Sequence, residues 1–204
     1  AQMRDLDTAS GRVFLQAFLD LVLAIRTAGK PVIARVHGYC LGSAMELAVA
    51  CDLTLASDDC RFGMPEVKFG SGIVTMLLPW IAGPKQARYL LLSADDRVSA
   101  ADVQAMGLVN RVVPAVQLYD EALRLGSRIA ANDSHAVKLT KQAINRSLDA
   151  AGLRAALAQA LELDVQIETA ETAESREFNA VLRRDGARAA IASRSARAAA
   201  PAGK

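Results

Sequence analysis

The run PVIARVHGYCLGSAMELAVACDLTLAS, residues 31–57, constrains the fold more than any other part of the chain. Pro31 and Gly38 bracket a short β-branched stretch that reads as a buried strand. SAMELAVA follows Gly42 as a helix over about residues 43 to 50, and DLTLAS supplies a second strand. Strand, turn, short helix, strand is the rhythm of an α/β core, where connections are right-handed and strands run parallel. Upstream, GRVFLQAFLDLVLAIRTA (residues 11–28) places Val13, Phe14, Ala17, Phe18, Leu21, Val22 and Ile25 at the three-and-four spacing of a helix with one apolar face. Gly29 and Pro31 stop that helix.

Beyond residue 115 the strand signals vanish. AVQLYDEALRLGSRIAAN, SHAVKLTKQAINRSLDAA and LRAALAQALELDVQIETAETAESREFNAVLRR read as helices with Asn-Asp-Ser and Ala-Gly breaks between them. A boundary near residue 131 therefore separates an α/β core (1–130) from a helical C-terminal part (131–204). The closing ARAAIASRSARAAAPAGK is expected to fray. Arg188, Arg194 and Arg197 could meet phosphates there, but without aromatic or glycine-rich neighbours a solvated tail is the simpler expectation.

Bulk properties remove several function classes. With 204 residues, 52% apolar and 23% charged, the chain can bury a sizeable core. Its 24 basic and 22 acidic residues are too evenly matched to suggest nucleic acid or an anionic membrane as a partner. Apolar runs such as Gly72 to Leu78 fall short of a membrane span. Cys40, Cys51 and Cys60 lack zinc-ligand spacing, and no secretory segment precedes them, so the expectation is reduced thiols in the cytoplasm and no metal.

Two acids stand out. Glu46 lies among apolar residues in the first turn of the 43–50 helix, and Glu66 follows Pro65 in CRFGMPEVKFG. Ser43-Ala44-Met45-Glu46 fits a capping box, in which the glutamate returns to the amide at the helix start. Alternatively, that helix start receives developing negative charge while Glu46 moves protons beside it. Glu66 alone would be an exposed loop carboxylate. Among the other polar residues, His37 reads as a strand-end hydrogen bonder, His135 as a surface residue, and Asp52 as structural.

Taken together, Gly-Tyr-x-Leu-Gly after a strand, a helix carrying Glu46, Cys-Asp opening the next strand and Phe-Gly-x-Pro-Glu resemble the crotonase family, the enoyl-CoA hydratases and isomerases. The twenty-residue separation of Glu46 and Glu66 matches the family's pair of catalytic glutamates, and DRVSAADVQAMGLVNRVVP resembles its downstream helix and strand. The resemblance spans residues 31–186 and implies a spiral core of repeated β-β-α units with a helical C-terminal part. It implies hydration of a trans-2-enoyl-CoA to a 3-hydroxyacyl-CoA, with Glu66 donating a proton to C2 and Glu46 deprotonating water. The Ser43 backbone N–H becomes an oxyanion donor, and Gly42 lets the ligand approach closely. No separate cofactor is implied, since coenzyme A belongs to the substrate. The implied assembly is a homotrimer or a dimer of trimers.

Departures from the family pattern shape further expectations. Family members carry opening strands, a first oxyanion N–H and part of the CoA site ahead of the helix near residue 11. Ser43-Ala44 stands where glycine is common, and SGIVTMLLPWIAG replaces a glycine-rich segment. Ile73, Val74, Met76, Leu77 and Trp80 in that segment could line an acyl pocket or form a buried helix. The resemblance makes Phe178 a candidate CoA contact, and Ala190 replaces the family's next aromatic. The competing readings are a double-bond isomerase needing Glu66 alone, a cyclic dienoyl-CoA hydratase, and a non-catalytic acyl-CoA-binding scaffold.

Overall fold

A computed structural model describes residues 8–170 and 172–199. The tail from residue 200 and the Arg197 side chain lie outside the described residues. Helix α1 spans Thr8–Thr27, strand β1 Ile33–Val36, β2 Tyr39–Leu41, α2 Ser43–Ala50, β3 Leu53–Ser57 and β4 Arg61–Gly63. A 3-10 turn follows at Glu66–Phe69, then α3 (Leu78–Ile81), α4 (Gly83–Ser93), β5 (Val98–Ser99), α5 (Ala100–Ala105) and β6 (Arg111–Val113). The rest is helical: α6 (Leu118–Ala130), α7 (Ser134–Ala150), α8 (Leu153–Thr169) and α9 (Ala173–Ala199), the last broken at Gly186.

Successive strands are dealt to two small sheets. One has the order β1-β3-β6 and is parallel throughout; the other has the order β2-β4-β5, parallel between β2 and β4 and antiparallel between β4 and β5. The expected parallel pairing of the two longer strands holds, with Ile33 opposite Leu53 and Val36 opposite Ala56. Strand β2, embedded in the turn-like HGYCLG, departs from the expectation. Its three residues are too short for a periodicity signal, and pairing with β4 defines it. The β-β-α order is therefore real, with the second strand of each unit moving to the second sheet.

The expected inner face of α1 is largely wrong. Val13 is 70% exposed and Phe14 56%, whereas Leu15, Leu19 and Val22 are buried. Apolar residues occur on more than one face, so periodicity alone cannot choose among them. Polar anchoring chooses instead: the Arg26 guanidinium, itself buried, donates to Asp149 Oδ1 at 2.9 Å and to the Asn145 carbonyl at 2.9 Å, turning that face toward α7 and α8. Arg12 pairs with Glu162 of α8 on the same side.

A second polar anchor explains Asp52. Its Oδ2 accepts from Val32 N–H and from buried Lys141 Nζ, each at 2.7 Å, and Lys141 also donates to the Lys30 carbonyl at 3.1 Å. The pair is only partly buried, with the Lys141 side chain 7% exposed and that of Asp52 24%, so losing Asp52 leaves the lysine with the Ile25 and Lys30 carbonyls as acceptors. Asp52 is thus structural, as expected, and it holds α7 to the strand edge beneath α2.

Candidate active site

The start of α2 is the centre of the site. Gly42 rather than Ser43 is the N-cap, with no side-chain capping bond, so the capping box does not form. Gly42 has φ 54°, ψ −126°, a backbone geometry that essentially requires glycine. Its own N–H donates to the Gly63 carbonyl at 2.9 Å, and its carbonyl accepts from Glu46 N–H at 3.0 Å. Ser43, first in the helix and exposed, presents an N–H with no intrahelical partner, and no other described group accepts from it.

Glu46 is 4% exposed and turns away from the helix start. Its Oε2 accepts from Thr75 N–H at 2.6 Å and from the Thr75 hydroxyl. Burial raises its pKa, and the two Thr75 hydrogen bonds oppose that rise. The backbone amide at the helix start is thereby left free of the Glu46 carboxylate, which resolves the conflict between capping and binding at this position.

Glu66 opens the 3-10 turn, and its carboxyl reaches back to Gly42. A Cβ on Gly42 would stand 2.0 Å from Glu66 Oε1, so the glycine makes room for this carboxyl. Glu66 Oε2 is buried without a hydrogen-bond partner among the described residues. Burial pushes the pKa up to about 7, a backbone hydrogen bond opposes this, and the charges of Glu46 and Glu168 add to it. Gly42 and Glu46 are four residues apart on one helix, so Glu66 stands at one end of a turn and Glu46 at the other.

The segment after Gly70 joins this pair to α8. Gly72 N–H donates to Glu168 Oε1 at 3.1 Å, and a Cβ on Gly72 would stand 1.9 Å from Asp164 Oδ1. Asp164 is 2% exposed, and among the described residues neither carboxyl oxygen has a partner. Burial first, then the charges of Glu168, Glu46 and Glu66, push its pKa up to about 7. The four carboxyls do not form a metal site: no group of three His, Cys, Asp or Glu among the described residues has suitable geometry.

The proposed acyl-lining residues separate. Ile73 and Val74 are buried in the core, and Met76 packs against it. Leu77 and Trp80 line a cavity of about 570 Å³ beyond the C-terminal end of α2, together with Val49, Ile81, Ile144 and Leu148. Neither glutamate lines that cavity. Phe178 is buried and its ring lies 5.2 Å from that of Phe69, tying α9 to the turn that carries Glu66. Of the tail arginines, Arg188 is exposed and Arg194 donates to the Glu174 carbonyl. Sequence reasoning missed Thr75, Gly72, Asp164 and Glu168. A glycine before an apolar run and acids recurring inside an alanine- and leucine-rich helix were the available signals.

Strands dealt to two sheets, with the Glu66 carboxyl against the N-cap of α2 and Glu46 one turn along that helix, make this a protein of the crotonase fold. Residues 2–182 match the enoyl-CoA hydratase/isomerase family, and the chain belongs to it. The chain is similar to the short-chain-enoyl-CoA hydratase of Clostridium acetobutylicum, 37% identical over 153 residues, which are 72% of this chain and 58% of that protein. The crotonyl-CoA hydratase of Syntrophomonas wolfei gives the same identity and coverage. Among solved structures, an enoyl-CoA hydratase/isomerase from Xanthobacter autotrophicus Py2 superposes with a TM-score of 0.93 at 48% identity, covering 98% of this chain and 75% of the other. The chain thus spans 58% of the length of these two curated relatives.

Proposed function

We propose that the chain carries the acid–base half of an enoyl-CoA hydratase, adding water to a trans-2-enoyl thioester. The observation that supports this most strongly is the placement of the Glu66 carboxyl against Gly42, one helical turn from Glu46 and beside the free Ser43 N–H. A helix N-terminus carries about half a positive charge, which suits a thioester oxygen becoming an enolate. Water attacks C3 as Glu46 takes one of its protons. The alkene electrons move toward the carbonyl, and Glu66 delivers a proton to C2. Return of the proton from Glu46 to Glu66 through solvent restores the starting state.

The environments suit these roles. A carboxyl with pKa about 7 is half protonated near neutrality, where a general acid is most useful. Glu46, held by two hydrogen bonds at Oε2, can direct Oε1 at water. The similarity to relatives named as short-chain-enoyl-CoA and crotonyl-CoA hydratases supports the same reaction. Coenzyme A would arrive with the substrate, and the cavity lined by Leu77 and Trp80, at the far end of α2 from Ser43, is not assigned to the acyl group. Assembly as a homotrimer or a dimer of trimers belongs to this reading.

Following the absorbance of conjugated crotonyl-CoA tests it. The full chain should bleach the signal as water is incorporated. Glu66→Gln should lower turnover by about 10²–10⁴-fold with folding intact. Glu46→Gln should lower hydration more than any isomerisation of a 3-enoyl-CoA. Appearance of conjugated product from a 3-enoyl-CoA without hydration would assign an isomerase, and acyl-CoA binding without either reaction would assign a scaffold.

A further inference from the structure

The mechanism above uses two carboxyls, but a third is built into the same region. Asp164 comes from α8, ninety-eight positions beyond Glu66, and is 2% exposed. The position is specifically accommodated: Gly72 has no Cβ where Asp164 Oδ1 lies, since one would stand 1.9 Å from that oxygen. Glu168, one helical turn further along α8, accepts the Gly72 N–H and so fixes the same short segment. Three residues later in that segment, Thr75 holds Glu46. Asp164 therefore faces the catalytic pair across one strap of backbone, and its charge couples to both Glu46 and Glu66.

The strap donates to Glu168 and Glu46 but gives Asp164 nothing, and both Asp164 oxygens are buried without a partner among the described residues. Buried polar groups in folded proteins are nearly always paired, so an unpaired one beside a reaction site signals a ligand group. Among the described residues, the charged groups that act on Asp164 are Glu168 on α8, Glu46 on α2 and Glu66 on the 3-10 turn. Burial and the three neighbouring carboxyl groups raise its pKa to about 7, so near neutrality about half of the molecules hold Asp164 in its acid form, an O–H donor. Glu46 and Glu66 recognise protons and water; Asp164 would recognise an acceptor oxygen.

Resting on the hydratase reading, we propose that Asp164 is a specificity-determining residue that donates a hydrogen bond to an oxygen on the acyl chain, so that the substrate class is enoyl-CoA thioesters bearing a hydroxyl or carbonyl beyond the thioester. A site built to bond a substrate oxygen rejects the analogue lacking it, because the buried group is then left unpaired. Plain alkyl enoyl-CoAs are accordingly the poorer substrates.

The test compares kcat/KM for crotonyl-, trans-2-pentenoyl- and trans-2-hexenoyl-CoA with that for their ω-hydroxy counterparts. At least one hydroxylated member should be preferred by about tenfold or more in the wild-type chain. Asp164→Leu should bring that ratio close to one, while Asp164→Asn, which keeps a donor, should retain part of it. Circular dichroism and thermal unfolding establish that both variants fold. Equal use of every hydroxylated and plain pair by the wild type, or a ratio unchanged in Asp164→Leu, overturns the assignment of Asp164 and leaves the hydratase reading standing. Hydration of none of the six thioesters overturns the hydratase reading and the assignment with it.

Discussion

Gly42→Ala is the most informative single change, because the structure fixes its consequences at two levels. At φ 54° and ψ −126°, an alanine adopts a conformation reserved for glycine, which costs about 1–3 kcal/mol. The new Cβ also stands 2.0 Å from Glu66 Oε1 and 3.1 Å from Glu66 Cδ, against an ordinary contact of 3.4 Å or more. The oxygen must retreat by about 1.4 Å, and a shift of about 1 Å in a reacting group costs on the order of 10²-fold in rate. In crotonyl-CoA hydration, kcat should therefore fall about 100-fold, and the urea midpoint should report the strain. Gly126→Ala is the control: it lies inside α6, where a Cβ meets only Ile33 Cδ1 at 3.9 Å, so stability should rise by about 0.5–1 kcal/mol. A Gly42→Ala protein with kcat within about threefold of wild type refutes the placement of Glu66 at the reacting carbon.

Two other perturbations act on the same carboxyls. Thr75→Val removes the side-chain donor to Glu46 and keeps the backbone one, so stability should drop by about 1 kcal/mol. Because that donor holds the Glu46 pKa down, the acid limb of a kcat/KM pH profile should move to higher pH; an unmoved limb removes Glu46 from the essential base. Global stability should also depend on pH in a definite direction. Glu66 and Asp164 titrate at about 7 when folded against 4.5 and 3.8 when unfolded, so between about pH 4 and 7 the native state holds more protons. Stability therefore falls as pH rises through this window, by up to about 1.4 kcal/mol per unit for each group acting alone. Urea midpoints at pH 5 and 7.5 measure this, and a higher midpoint at pH 7.5 contradicts the burial of these carboxyls in acid form.

Local signals carried the sequence reading as far as local forces decide the structure. Helix α2 lies at the expected residues 43–50, because Gly42 before it and the strand after it confine it from both ends. Parallel pairing of β1 with β3 followed from two short apolar runs flanking one helix. The capping box failed because a tertiary partner outcompeted a local one: Thr75, twenty-nine positions away, supplies two donors to Glu46 where the helix start offers one amide. The inner face of α1 failed for a related reason, since Asp149 and Asn145 orient Arg26 from more than a hundred residues away. Glu46 and Glu66 were legible through their motif, whereas Asp164 belongs to no motif and acquires meaning only when α8 docks on Gly72. Where a contact joins distant residues through polar atoms, no period or propensity announces it.

A structure of the full chain with a non-hydrolysable acyl-CoA analogue measures the central geometry directly. The account predicts the thioester oxygen within hydrogen-bond distance of Ser43 N, with one water held between Glu46 and Glu66 over C3. A thioester bound elsewhere, or the two carboxyls turned to separate surroundings, contradicts it.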